Sequence, residues 1–233
     1  MTRPLSFHIA PSVLHLGVRG VYFRMTGLKN RQSDNEFDRV WSASIEAILA
    51  SLSPEFIEHD AELRGFRSLH EAIKRSNKSN VASPENLLNL LLRRKALPRI
   101  NLLVDIYNLV SLESRLAIGA HDIAKIVGDV SLRLTDGSEK FWPLGAAENK
   151  TISQGEYAYI DSSNDVICRL EVRQVEKTKV ELSSTDCFYI VQGSSATESG
   201  VLDRTRERLA LLTQKFCGGE MEVLHSALVA MSP

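Results

Sequence analysis

Between Leu102 and Leu112 apolar residues occupy almost the whole circumference of a helix: Leu102, Leu103, Val104, Ile106, Leu109, Val110 and Leu112. They leave one polar stripe, Asn101, Asp105 and Asn108, continued by Ser111 and Arg115. A helix that is apolar nearly all round is buried. Each polar group on it must then be hydrogen-bonded, because an unpaired one costs about 1–3 kcal/mol. The stripe is therefore either a staple tying down neighbouring loops or the floor of a site. His121-Asp122 follows, and Gly119 before it predicts a turn that presents the imidazole at the helix end.

The flanking patterns supply the remaining elements. Val13 to Leu28, with Gly17, Gly20 and Gly27, reads as one or two strands with Val18, Val21 and Phe23 inward. Ser33-Asp34-Asn35-Glu36 has the form of a capping box, and the apolar residues from Phe37 to Leu52 recur at three and four until Pro54. The pattern weakens from Pro54 to Asn80, where Ser68-Leu69-His70-Glu71 offers a second cap. Arg64, Arg67, Lys74, Arg75 and Lys78 there form a solvated face or a phosphate-contacting edge. Ser83-Pro84-Glu85 starts a leucine-rich helix that ends in Arg93-Arg94-Lys95, where cations suit the helix dipole.

After His121 the period changes from 3.6 to 2. Val130 to Leu134, a short strand ending at Phe141, Tyr157 to Ile160, Val166 to Val172 and Phe188 to Val191 are the predicted strands, the last being the final clear one. Leu202 to Phe216 is a helix stopped by Gly218-Gly219, and the apolar stripe beyond Glu220 has no assigned role. The class is α+β, a largely antiparallel sheet packed against a central buried helix. One domain spans 1–233: a helix-rich part over about 1–122, a strand-rich part over about 123–200, and a C-terminal helix over about 202–217.

Composition narrows the chemistry. A formal charge of −1 over 233 residues argues against non-specific coating of nucleic acid, yet permits a local basic groove from Arg93-Arg94-Lys95 or Arg204, Arg206 and Arg208. Cys168, Cys187 and Cys217 lack metal-ligand spacing and read as buried free thiols in a reducing compartment. No stretch reaches the ~18 apolar residues of a membrane span, so a cytoplasmic protein without membrane partners is expected. Nucleophile elbow, zinc pair, P-loop and dinucleotide fingerprint are all missing, and no metal or cofactor is expected. What remains is His121, Asp122, the Asn101/Asp105/Asn108 stripe, and Glu171, Arg173, Gln174, Thr178 and Lys179. In Arg169-Leu170-Glu171-Val172-Arg173 the charged side chains share one strand face, and the polar run from Gln174 to Lys179 reads as a loop lining a cleft.

Asn101, Val104, Asp105, Asn108, Leu112, Glu113, His121 and Asp122 resemble the run N-x-x-V-D-x-x-N-x-x-x-L-E … H-A-F-D in the editing module, the B-three/B-four domain, of the bacterial phenylalanyl-tRNA synthetase beta subunit. The chain also resembles free-standing proteins made of this domain alone, whose pattern continues as Gly155-Glu156, Cys168-Arg169, Arg173-Gln174 and Thr178-Lys179. The resemblance covers roughly residues 10 to 217. It implies a trans-editing aminoacyl-tRNA deacylase that hydrolyses the ester of mischarged tRNA, with tRNA and a synthetase as partners and no DNA. His121, Asn108 and Asp105 are then the candidate catalytic residues. Asn101, Asp122, Glu171, Arg173, Gln174, Thr178, Lys179 and Gln192 are the candidate substrate-binding residues.

An aminoacyl ester is already activated, so positioned water and donors to the oxyanion supply much of its hydrolysis. Two departures bear on specificity. The synthetase has a glycine-rich segment where this chain has Arg173-Gln174-Val175-Glu176-Lys177, and its tyrosine-sensing Glu falls near Gln192, so tyrosine specificity does not transfer. A non-catalytic tRNA- or amino-acid-binding module, and a small-molecule amino-acid ester or amide hydrolase, remain open alternatives.

Overall fold

The computed structural model describes residues 5–226. Along the chain run β1 (Phe7–Ile9), α1 (Pro11–His15), β2 (Arg19–Thr26), α2 (Asn35–Ser51), α3 (Pro54–His59), α4 (Ala61–Ala72), α5 (Ser83–Arg94) and α6 (Leu102–Ser114). Then follow β3 (Ala117–Asp122), β4 (Val130–Leu134), β5 (Tyr157–Asp161), β6 (Val166–Arg169), β7 (Arg173–Gln174), β8 (Cys187–Gly193), α7 (Ser199–Cys217) and β9 (Glu220–Ser226). One sheet is antiparallel in the order β3-β8-β2-β9. The other has the order β1-β4-β5-β6-β7 and is antiparallel except where β1 runs parallel to β4.

Alternation along β2 and β8 decides what each face meets. Val21, Phe23, Met25, Tyr189 and Val191 face the helices and join Leu103, Ile106 and Val110 of α6. Tyr22, Phe188 and Ile190 face the other way, onto Val130, Leu132, Tyr157 and Tyr159 of the second sheet. The first sheet is thus sandwiched, and α6 packs on β3 while α2, α5 and α7 pack on α6. This is the expected α+β arrangement around a buried central helix.

Local chemistry sets the boundaries. Asp34, one residue later than the predicted capping Ser33, caps α2 by accepting from the N–H groups of Glu36 and Phe37 at 2.9 and 3.0 Å. Asn101 caps α6 by accepting from Val104 N–H at 3.1 Å. Gly218, at φ +69°, ends α7 as the glycine pair predicts.

Several expectations are corrected. Ser68 to Glu71 lie inside α4, whose cap is Asp60, because Asp60 already accepts from Glu62 and Leu63 N–H. Gly119 is not a turn but a residue of the buried strand β3, paired with Ile190. The strand expected through Val172 stops at Arg169, where Leu170 adopts φ +52° and reverses the chain. Phe141 makes only an isolated bridge with Lys150. β8 is not the last strand: the apolar stripe after Glu220 forms β9 against β2, and residues 227–233 lie outside the described residues.

Candidate functional site

A cavity of about 300 Å³ lies between α5, α6, β3, β8 and the turn from β6 to β7. Its shape follows from how that turn is held. Leu170 N–H donates to Tyr157 O at 3.1 Å, and Ser83 N–H donates to Glu171 O at 3.0 Å, docking the turn onto the start of α5. Ser83 is consequently not the cap of α5; Ala82 takes that position. Apolar wall comes from Leu87, Leu90, Val104, Ile118 and Leu170, and polar groups converge from Asn86, Asn108, His121, Glu171, Gln174 and Gln192. Mostly apolar concavities with a few placed polar groups are the usual form of a small-ligand site.

His121 lies on β3 opposite Phe188 and is 1% exposed. Its Nδ1 lies 2.9 Å from Thr178 Oγ1, while its Nε2 has no hydrogen-bond partner among the described residues. Burial pushes its pKa down to about 3, so the ring is neutral at ordinary pH. A neutral imidazole has one N–H and one lone pair. If Nδ1 accepts from Thr178, Nε2 is a donor; if Nδ1 donates, Nε2 is an acceptor.

Further along the cavity, from β8 to the β6–β7 turn, runs a polar network. Glu171 accepts from Tyr157 and from Gln192 Nε2, the latter at 3.0 Å, and pairs with His70 Nε2. Gln192 Oε1 in turn accepts from Tyr159 at 2.5 Å. Asn77 Oδ1 lies 3.0 Å from His70 Nδ1, so both ring nitrogens of His70 have partners. Burial works to lower the His70 pKa, but the hydrogen bond and charge of Glu171 outweigh it and raise it. Burial and the neighbouring Glu171 carboxylate hold the Tyr157 hydroxyl well above the phenol range. Cys168 also lines the cavity; burial pushes its thiol up to about 12, which removes it as a nucleophile.

The structure brings together Asn108, His121, Glu171, Arg173, Gln174 and Gln192 on the cavity wall, and leaves Asn101, Asp105, Asp122, Thr178 and Lys179 off it. Asp105, expected among the catalytic residues, lies off the cavity wall and ties down the segment before α6. Its Oδ2 accepts from Arg99 Nε at 2.7 Å and its Oδ1 from Ile100 N–H at 2.9 Å, and Arg99 continues to Asp38. Burial raises its pKa despite these bonds. Asn101 is occupied as the α6 cap and by Val180 O. Asp122 accepts from Ser184 Oγ at 2.7 Å and from Ala124 N–H at 3.0 Å. Lys179 pairs with Glu176, and Thr178 acts behind His121.

In the basic stretch after Pro54, Arg64, Lys74 and Lys78 are exposed, but Arg67 and Arg75 are tied inward. Arg67 holds Glu85, Ile57 O and Glu58 O, and Arg75 holds Glu156 together with Arg169. Of the two predicted basic clusters, Arg206 pairs with Asp203 and Arg208 with Glu113, while Arg93, Arg94 and Lys95 are exposed and make no ion pair among the described residues.

Sequence reasoning missed His70, Tyr157, Tyr159 and the cavity face of α5. A signal for the last existed: Leu87, Leu88, Leu90, Leu91 and Leu92 form a wider apolar arc than one buried stripe needs. Among the described residues no group of three or more His, Cys, Asp or Glu side chains is placed to hold a metal ion. None of the described helices is long and apolar enough to cross a membrane.

The sequence profile of the B3/4 domain matches residues 67–214, well over half of the chain. The chain belongs to the B3/4 domain family. The match takes in α5, α6 and every cavity residue named above. The fold is similar to the crystal structure of an N-terminal fragment of the phenylalanyl-tRNA synthetase beta subunit from Pyrococcus horikoshii, with a TM-score of 0.51 and 15% identity. That likeness covers 94% of this chain and 51% of the fragment, so this B3/4 protein spans about half the fragment's length. Among curated proteins none matches the chain.

Proposed function

We propose that this B3/4 protein hydrolyses the ester of mischarged aminoacyl-tRNA in trans, with the aminoacyl group seated in the cavity. The observation that carries the reading is the buried Nε2 of His121, without a hydrogen-bond partner among the described residues, on a side chain that lines a largely apolar cavity. Hydrolysis of the activated ester needs an attacking water and a donor for the oxyanion that develops on the carbonyl. Neutral His121 supplies one of these through Nε2, accepting from the water or donating to the oxyanion. With a pKa of about 3 the ring does not take up a proton near neutral pH, so its contribution is orientation. Asn108, half-buried on the same wall, is the second polar group for the reacting carbonyl. Arg93, Arg94 and Lys95 follow Leu87 and Leu90 along α5 and give the RNA backbone a basic approach.

The test is a deacylation screen of wild type and His121→Ala against a panel of mischarged tRNAs. Hydrolysis of at least one substrate by wild type, slowed in a variant that is still folded at the assay temperature, supports the reading. Full activity of His121→Ala on every substrate removes His121 from the site. A non-catalytic aminoacyl-tRNA-binding module is the second reading, favoured by the same neutral ring and by the engagement of Asp105 elsewhere, which leave the carbonyl without an evident general base. Binding of tRNA with no hydrolysis of any substrate establishes it instead.

A further inference from the structure

The strand segment flanking β7 carries an apolar surface that the cavity does not account for. Pro143 bridges Val175 in antiparallel register, with Glu176 N–H donating to Trp142 O at 3.0 Å and Leu144 N–H donating to Gln174 O at 2.9 Å. Val175 packs with Phe141 and Ile152 in the small core on one side of the sheet. Side chains alternate, so Pro143 shares that side. Trp142 and Leu144 therefore share the other side with Gln174, which lines the cavity. Leu144 stands directly across from Gln174, and Trp142 is its diagonal neighbour, about 7–8 Å away by sheet geometry.

Trp142 is 43% exposed and Leu144 40%. The indole is nevertheless fixed: its Nε1–H donates to Ala146 O at 2.8 Å, within a turn closed by Ala146 N–H to Pro143 O at 3.0 Å. A held aromatic ring facing solvent, with an apolar neighbour beside it, is an unpartnered contact surface. Arg173 completes the rim; it is exposed, lines the cavity and makes no ion pair among the described residues.

We propose that Trp142, with Leu144 beside it, is the stacking platform for the terminal base of the RNA whose ester enters the cavity. This rests on the deacylase reading above. The base of an ester-bearing nucleoside lies one ribose from the reacting carbonyl, and Trp142 lies one side chain from the cavity wall. A single fixed ring stacks on any base through its π-face, and Arg173, exposed on the cavity lining, is a cation for the phosphate that precedes that nucleoside. A peptide strand or a lipid surface would instead call for a longer apolar stripe than these two side chains.

The test measures affinity for a short hairpin RNA ending in a single-stranded 3′ terminus and carrying an amide-linked, non-hydrolysable amino acid, alongside deacylation of the matching ester. Trp142→Ala should weaken binding roughly ten-fold, and Trp142→Phe should retain most of the affinity. Replacing the terminal nucleoside by an abasic one should weaken wild-type binding equally and weaken Trp142→Ala no further. Both variants lose the indole hydrogen bond to Ala146 O, so a small drop in melting temperature is common to them and Trp142→Phe controls for it. Wild-type affinity in Trp142→Ala, with hydrolysis intact, overturns the platform and leaves the deacylase reading standing. A wild-type protein that neither binds nor hydrolyses any such RNA overturns both.

Discussion

His70 and His121 are each 1% exposed, but both ring nitrogens of His70 have partners, Asn77 and Glu171, whereas only one nitrogen of His121 does. The surroundings then push the two in opposite directions: the Glu171 carboxylate outweighs burial and raises the His70 pKa, while burial alone drives His121 down to about 3. A buried ring with every nitrogen occupied holds neighbouring elements together, here α4 to the β6–β7 turn. One with a nitrogen left over beside a cavity has something to offer a ligand. The pair thus separates a histidine that ties the architecture behind the cavity from one on its lining with a nitrogen to spare.

The strongest way to break the comparison is Glu171→Ala. It leaves His70, Tyr157 and Gln192 without their common acceptor, and loss of one member of a buried pair costs about 3–5 kcal/mol. Denaturant unfolding should show that loss, with Glu171→Gln falling between the variant and wild type. His121→Ala, by contrast, should slow deacylation about 10- to 100-fold, below the usual acid–base contribution because the ring only orients. It should cost about 1–3 kcal/mol of stability, less than Glu171→Ala, because a buried ring is truncated and the Thr178 hydroxyl loses its partner.

Acidification sharpens the contrast. Unfolded His121 takes up a proton below about pH 6.5, while the folded ring stays neutral down to about 3. Stability present above pH 6.5 is therefore lost as pH falls through that window, by up to about 1.4 kcal/mol per pH unit from this residue. His70, raised in the folded state, has the opposite sign: its contribution is present below its unfolded pKa and lost as pH rises through its folded one. Urea midpoints between pH 7 and 5 should drop less in His121→Ala than in wild type, and more in His70→Gln. Equal slopes in all three proteins would contradict the assignment. The smallest expected effect is that of Thr178→Val, which keeps the side-chain shape but removes the partner of His121 Nδ1. About 1 kcal/mol of stability should be lost, and hydrolysis should fall part of the way towards the rate of His121→Ala.

The sequence made the buried central helix legible because seven apolar residues and one polar stripe leave no solvated face for it. It could not divide that stripe. Asn101 and Asp105 bond to backbone outside α6, at Val180 and Ile100, while Asn108, only one turn further on, reaches the cavity. Partners so close in space but so variable in sequence distance leave no periodic trace. The charged strand face from Arg169 to Arg173 failed for a different reason. The positive φ of Leu170 interrupts the alternation, sending Glu171 inward and pairing Arg173 with Arg169. A leucine gives no warning of that conformation, as a glycine would. His70 was hidden because its partner Glu171 lies a hundred and one residues away.

Strand β9 has a consequence for how this protein behaves among copies of itself. β2, with Val21, Tyr22, Phe23 and Met25 fully buried, would be an ideal template for another chain's strand if its outer backbone groups were open. β9 occupies that edge and turns Glu220 and Glu222 outward, with Glu222 paired to Arg24. The strand at that edge of the sheet therefore carries outward carboxylates that β2 lacks. A chain cut after Cys217 would keep the cavity and every residue lining it, yet open the backbone edge of β2, and its failing would be aggregation before any loss of chemistry.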